Sequence, residues 1–381
     1  MSFFFNLDLG LVGIIAYILA FLLALTVIVF IHEYGHFKVA RWCGVRVETF
    51  SVGFGREIFG WTDRFGTRWK IGWIPLGGFV KFEGDANPAS MPEGSANIRP
   101  KSNGDFHQKK LWQRAAVVAA GPIANFLLAI FIFAVSAFTI GVPLNEPRID
   151  GIVQGGVAEK AGLLPGDYVR SIDGRAIKTF FDLAETVRFR PGEKLILGIE
   201  RHGQPLTIEI VVGSREETDP WAGKMVVGFL GVEHSNENDM RIERQSLISS
   251  VEYGLDRTWM IIDLTLRYVK KLFIGQESPT QLGGVISMAK AAGDAAAQGI
   301  LPFVWVVGFL SVSIGLINLF PIPMLDGGHL VFYAIEAVRR RPLDANAQEW
   351  CYRIGFSLVL ALMLIGNGND VWRFFKPILG L

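Results

Sequence analysis

The chain has 381 residues, 50% of them apolar and only 19% charged, and its mean hydropathy is +0.35. These figures exclude a disordered chain, a collagen-like fibre and a disulfide-rich secreted module, and they leave an ordinary cytosolic enzyme too little charge for its surface. Lys plus Arg is 37 against 36 acidic residues, so no charge excess points to nucleic acid, and two cysteines, Cys43 and Cys351, are expected as reduced thiols rather than a staple.

An integral membrane protein with a soluble insert remains. Leu9–Ile31 carries no charge, and at ~1.5 Å per residue it crosses a ~30 Å hydrocarbon core as a helix. No Lys or Arg precedes it and no small-residue cleavage site follows, so it is expected to stay in place rather than be removed. His32-Glu33-Tyr34-Gly35-His36 closes this run. Helix positions i and i+4 share a face, so both imidazoles can reach one ion, with the glutamate beside it as general base. A Zn²⁺ held there brings the pKa of a water to ~7, and Glu33 can take the proton and pass it to a leaving amine. Five residues can spell this pattern by chance, but ionisable groups at membrane depth are costly, which disfavours an idle interfacial cluster.

From His32 to Arg114 there are 13 Lys/Arg against 8 Asp/Glu. Lys38, Arg41 and Arg46 follow the first run; Lys109, Lys110 and Arg114 precede a second uncharged run, Ala115–Asn145. Arg339, Arg340 and Arg341 separate a third run, Ala295–Leu325, from a shorter fourth, Ile354–Asn369, ended by Asp370. The positive-inside bias puts both basic connections in the cytoplasm, and the N-terminus and the insert between the second and third runs on the opposite side. Within the first connection, residues 66–84 form a β-like island. Trp69, Ile71 and Trp73 alternate with polar or small residues, and Gly77-Gly78 permits a close backbone approach. Two readings stand side by side here: aromatic anchoring at the interface, or an edge strand that pairs with an unwound substrate. Residues 86–104 read as a loop.

Residues 146–235 turn polar, with short β-branched runs between turns. Leu164-Pro165-Gly166-Asp167 and Asp173-Gly174 are turns, and His202-Gly203 centres a hairpin. The segment around Ala158-Glu159-Lys160-Ala161-Gly162-Leu163-Leu164-Pro165-Gly166-Asp167 resembles a PDZ domain, in one copy. That likeness implies binding of an extended peptide or C-terminus by strand addition, the alternative being a spacer without ligand. Residues 246–274 have helical periodicity with scattered charges and are expected to lie on the bilayer as an amphipathic helix. The expected architecture is an α-helical polytopic membrane protein of about four transmembrane helices, with an inserted β-rich PDZ domain and a membrane-associated β-hairpin region. Its segments are 1–145, 146–235, 236–298 and 299–381.

A catalytic zinc needs a third protein ligand. The candidates are His107, His202, His234, His329, Cys43 and several carboxylates; the charge-derived orientation discards His202 and His234. Asp326 leads. It lies in Asn318–Leu330 at the cytoplasmic end of the third run, where Pro321 and Pro323 break the helix and Gly327-Gly328 lets backbone approach. His329 is its rival.

Taken together, the chain resembles the site-2 protease family of zinc intramembrane metalloproteases, in its bacterial regulator-of-sigma-E branch. His-Glu-Tyr-Gly-His and Leu325-Asp326-Gly327-Gly328-His329 match the family's two motifs. Residues 119–129, 281–290 and the stretch Ile74-Pro75-Leu76-Gly77-Gly78-Phe79-Val80-Lys81-Phe82-Glu83-Gly84 resemble further family segments. The resemblance implies His32, His36 and Asp326 as zinc ligands, Glu33 as base, and Asn318, with Asn125 as a weaker candidate, in substrate handling; Trp69, Ile71, Gly77 and Gly78 join the expected substrate-binding set. It implies a bacterial inner-membrane location, with the site near the cytoplasmic side and the PDZ domain periplasmic. The substrates implied are single-span membrane proteins: anti-sigma factors after a first cut, or remnant signal peptides. One PDZ-like stretch is legible, whereas enterobacterial members carry two. A metal transporter or an inactive PDZ adaptor are the readings from other classes. Polar residues clustered at one depth disfavour the first, and retention of all four site residues disfavours the second.

Overall fold

The structure is a computed structural model that describes residues 10–84, 104–219, 223–234, 241–275, 279 and 283–375; most of the loop expected over 86–104 lies outside the described residues. The chain forms two compact units, Met1–Phe133 with Val251–Leu381, and Ala134–Ser250.

The first unit begins with α1 (Gly10–Trp42), followed by β1 (Val47–Thr62), β2 (Arg68–Phe82) and α2 (Leu111–Thr139), whose C-terminal end enters the second unit. α1 and α2 approach closely because small residues meet. A Cβ on Gly35 would fall on the Ala120 carbonyl and within 2.8 Å of the Ala124 Cβ. In lipid, where apolar side chains gain little by leaving one apolar medium for another, such close packing holds helices together. β1 and β2 pair with register shifts, and residue 50 pairs with both Val80 and Trp69, so residues 47–52 lie between the 68–71 and 78–82 segments. Positive φ at Gly53, Gly55 and Gly77 lets the strands bend there. The sheet is pinned to the helices by Phe50, Val80, Phe82, Phe37 and Val117, all buried in one cluster.

The second unit contains β3 (Val142–Leu144), β4 (Gly151–Ile152), α3 (Val157–Lys160), β5 (Tyr168–Ile172), β6 (Arg175–Ala176), α4 (Phe180–Arg188), β7 (Lys194–Arg201), β8 (Gln204–Val211), β9 (Gly213–Asp219), β10 (Gly223–Phe229), β11 (Val232–Glu233) and β12 (Arg241–Glu243). Its main sheet runs β6-β5-β7-β8, and its core gathers Leu163, Val169, Leu183, Leu195, Leu197, Ile199 and Ile210. Each buried aliphatic side chain contributes about 2 kcal/mol. The turns fall where the sequence puts them: Arg201 pairs with Gln204 around His202 and Gly203, both at positive φ. Thr179 caps α4 through a reciprocal pair with Asp182.

Inside this unit the Asp167 carboxylate is buried and accepts from Arg201 Nε at 2.7 Å and Nη2 at 2.8 Å, and from the Leu164 amide at 2.8 Å. Burial would raise its pKa, but the guanidinium and amide donors outweigh that and hold the carboxyl below the usual range. A lowered folded-state pKa gives stability that is fully present above the unfolded value of ~3.9 and is lost as pH falls through the folded one. Asp167→Ala leaves the Arg201 guanidinium and the Leu164 amide without their carboxylate acceptor and is expected to destabilise this unit by about 2 kcal/mol. Hydrogen exchange over β5 and β7 in the full chain, from pH 7 down to pH 3, checks both statements; equal protection in variant and wild type would contradict them.

The chain then returns to the first unit through α5 (Leu247–Phe273), α6 (Val285–Gln298), α7 (Ile300–Asn318), α8 (Asp326–Arg339) and α9 (Ala345–Phe375). Among the described residues, four helices are long and apolar enough to cross a membrane: Val12–Trp42, Leu111–Thr139, Ile300–Asn318 and Asn346–Arg373. Two expectations change. The third apolar run is broken at Gly299, whose φ of 129° ends α6 and starts α7. The fourth does not stop at Asp370. That residue is buried within α9, and its carboxylate accepts from the Gly284 amide at 3.0 Å, the Ser287 amide at 2.9 Å and the Ser287 hydroxyl, while Asn367 Oδ1 accepts from the Val285 amide at 3.0 Å. The acid caps the start of α6, which is why a charge is tolerated inside an apolar helix. Tyr17 of α1 donates to Asp294 of α6 and fixes its other end.

Candidate active site

The end of α1 puts His32, Glu33 and His36 into the space between α2, β2 and α8. His32 Nε2 and His36 Nε2 are 3.2 Å apart, and Asp326 Oδ2 lies 3.2 Å from the first and 3.5 Å from the second. One ligand atom from each of the three lies within 4.8 Å of the others, the one such cluster among the described residues. Asp326 reaches this point because the helix stops after α7. Pro321 and Pro323 occupy a loop that turns the chain, and Leu325 stands as an extended N-cap before Asp326 opens α8. Gly327 and Gly328 sit where a Cβ would strike the carbonyls of Leu319, Phe320 and Ile322. Met324, a non-glycine residue at φ 89°, carries the strain of that turn.

Three observations bear on whether these residues suit a metal. Asp326 Oδ2 is buried and accepts no well-formed hydrogen bond among the described residues, although both imidazoles are at hand. The three ligand atoms converge on one place, where an ion could take the contact that Asp326 Oδ2 lacks. Gly121 of α2 makes room for that arrangement: a Cβ there would overlap His36 Nε2 and come within 2.9 Å of His32 Cε1. His36 Nδ1 donates to the Val117 carbonyl at 2.8 Å, which leaves Nε2 as its free lone pair. Two imidazole nitrogens and a carboxylate oxygen, with one side open to a cleft, match a catalytic zinc site.

That cleft has a volume of about 280 Å³ and is lined by Glu33, the Gly77–Val80 stretch of β2, Asn318, Met324 and His329. Glu33 accepts a hydrogen bond from the Val80 amide, and Gly78 keeps β2 against it, since a Cβ there would lie 3.1 Å from Glu33 Cγ. Gly77, Gly78 and Asn318, named from the sequence as substrate contacts, line this cleft. Trp69, Ile71 and Asn125 do not line this cleft. The Trp69 ring stacks on Phe50 and Trp61, and its Nε1 donates to Asp63 at 3.1 Å. Burial would raise the Asp63 carboxyl, but that bond and the amides of Thr67 and Phe65 hold it below the ordinary range. Trp69 is a packing residue of the sheet, because it lies on the side of β2 facing Phe37. Ile71 is half exposed on the same strand. Asn125 is fully buried behind His32. Of the other histidines, His329 lines the cleft one turn after Asp326 without joining the three-atom cluster, and His234 pairs with Asp150 at 2.9 Å in the second unit.

Sequence reasoning missed Gly121, the Val117 carbonyl and the Arg114–Glu336 ion pair that ties the start of α2 to α8. A glycine-proline pair inside an apolar helix was the available signal for the first; a backbone carbonyl and a long-range pair leave none.

Membrane helices around such a site define a membrane zinc metalloprotease. The chain belongs to peptidase family M50, whose description matches residues 20–362. It is 46% identical to a protein of Rhizobium meliloti that carries a zinc metalloprotease name (93% of this chain, 96% of that one). It is 37% identical to metalloprotease MmpA of Caulobacter vibrioides (97% and 99%) and 31% identical to the regulator of sigma-E protease RseP of Escherichia coli (93% and 98%).

Proposed function

We propose that this zinc protease is an endopeptidase that cuts single-span membrane proteins within their transmembrane segment, with His32, His36 and Asp326 holding the metal and Glu33 as the general base. The observation that carries this reading is the position of Glu33, at the end of a membrane helix and in one cleft with a β-strand edge. A transmembrane helix hides its carbonyls in its own hydrogen bonds, so the substrate must unwind before it can be cut. The Gly77–Val80 edge offers an extended partner for the unwound chain, and Asn318 offers a polar side chain on the opposite wall. When bound, zinc supplies Lewis acidity to a scissile carbonyl and to a water. Glu33 takes the proton from that water and delivers it to the leaving amine.

A regulator of sigma-E protease among the relatives supports membrane-anchored regulators, anti-sigma factors already shortened by a first cut, as substrates, and remnant signal peptides share the same chemistry. In this reading the β-rich unit is a PDZ domain that faces the periplasm and admits such shortened substrates through their ends, the site opens near the cytoplasmic face of the inner membrane, and the exposed Ile248, Val251, Leu255 and Trp259 of α5 lie on the bilayer. The test is cleavage of a labelled single-span substrate by the full chain in lipid vesicles, with the cut mapped by mass spectrometry. A cut within the apolar segment, abolished by chelator, supports the proposal; cuts confined to the soluble flanks would sink it.

A further inference from the structure

Asn125 of α2 is fully buried, one turn beyond Gly121, and its side-chain Nδ2 lies 3.3 Å from His32 Nδ1. Its Oδ1 is buried and has no hydrogen-bond partner among the described residues. α7 holds the residue in place. The Ser311 hydroxyl donates to the Asn125 carbonyl at 2.9 Å, and Gly315 packs so tightly that a Cβ there would lie 3.1 Å from the Asn125 Cβ. A buried amide in such a fixed frame, pressed against a metal-ligand candidate and left half-satisfied, calls for a physical account.

The account comes from proton placement on His32. A neutral imidazole carries one N–H. His32 turns Nε2 towards Asp326 and His36. If Nε2 offers its lone pair to a metal, the proton must sit on Nδ1, and Nδ1–H needs an acceptor. For His36 the Val117 carbonyl is that acceptor. For His32 the side chain at hand is Asn125, whose amide exchanges its oxygen and nitrogen by a half-turn about its terminal bond.

We infer that Asn125 is a positioning residue for the metal centre: its Oδ1 accepts from His32 Nδ1–H, which fixes the ring and the tautomer that leaves Nε2 free. The inference rests on the reading of His32 and His36 as ligands. It replaces the substrate contact expected for Asn125 from sequence, because a fully buried amide on the far side of the imidazole meets no substrate. A carbonyl on one histidine and an amide on the other give the two ligands separate supports, both from α2, so α2 sets the orientation of a pair carried by α1.

The test is zinc affinity of the full chain in detergent, read by competition with a chromophoric chelator, without reference to proteolysis. Asn125→Leu keeps the volume and removes the acceptor; zinc binding is expected to weaken by 10–100-fold. Asn125→Asp keeps an acceptor and is expected to bind zinc within about threefold of wild type, or tighter. A merely structural role would not sort the two variants by acceptor. Leu binding zinc as well as wild type, or Asp binding as weakly as Leu, would overturn the inference. Should Asn125→Leu fail to fold, the wild-type protein still decides: nitrogen-15 correlation spectra of the zinc-loaded, histidine-labelled chain are expected to put the His32 proton on Nδ1, and a proton on Nε2 would refute it. His32→Ala and His36→Ala separate the two levels of the argument. Zinc retained by both would remove the ligand reading itself; zinc lost in both but kept in Asn125→Leu would remove only the role of Asn125.

Discussion

Glu33→Gln is expected to lower the rate of substrate cleavage by roughly 10³-fold while the protein keeps its zinc. The substitution keeps the shape of the side chain and an oxygen to accept from the Val80 amide, a bond that Glu33 makes in the cleft. The ability to take up a proton is what disappears. Glu33 is not among the three residues whose ligand atoms converge, so nothing about metal retention should change. The measurement is initial cleavage rate of a labelled single-span substrate, with zinc content determined on the same sample. Near-wild-type cleavage would remove Glu33 from the chemistry. Loss of zinc together with activity would mean that the glutamate supports the ligand set instead.

Asp326→Asn is expected to show the complementary pattern, with zinc affinity and activity falling together. An amide oxygen is a weaker donor than a carboxylate and brings no charge to balance the cation, and the loss of a direct ligand should exceed the 10–100-fold typical of outer-shell partners. The substitution leaves the loop intact, since the turn into α8 depends on Pro321, Pro323 and the two glycines rather than on the carboxylate. Competition titration gives the affinity, and cleavage at raised free zinc should recover part of the activity. Full activity at low zinc would transfer the third ligand to another residue, and His329, one turn along α8 and in the same cleft, would be the first to examine.

The two variants also separate what could be read in the sequence from what could not. Spacing within one element is legible. The four-residue interval puts His32 and His36 on one face of α1, and the uncharged runs give four helices of spanning length. The turns at His202-Gly203 and Asp173-Gly174 are legible because their backbone needs positive φ. Contacts between elements are not. Trp69 reads as an interfacial anchor or an edge-strand contact for substrate, yet it packs into the sheet because residues 47–52 lie beside it. Asp370 reads as the end of a span, yet it is buried because α6 brings two amides and a hydroxyl to it.

The sequence by itself determined the chemistry available: two imidazoles and a glutamate on one helix, a carboxylate at the end of another, and enough apolar length to hold them at a membrane. These follow from periodicity and side-chain type, which are local. Only the tertiary structure decided how that chemistry is aimed. Gly121 clears space for the imidazoles, the Val117 carbonyl and Asn125 lie against their Nδ1 atoms, and β2 brings the Val80 amide to Glu33. Each of those contacts joins residues 47 to 93 positions apart (33 to 80, 32 to 125), and no local pattern encodes such a distance. They exist because small residues let α1 and α2 approach, and Gly78 lets β2 approach Glu33, until backbone and side-chain polar groups must satisfy one another away from water.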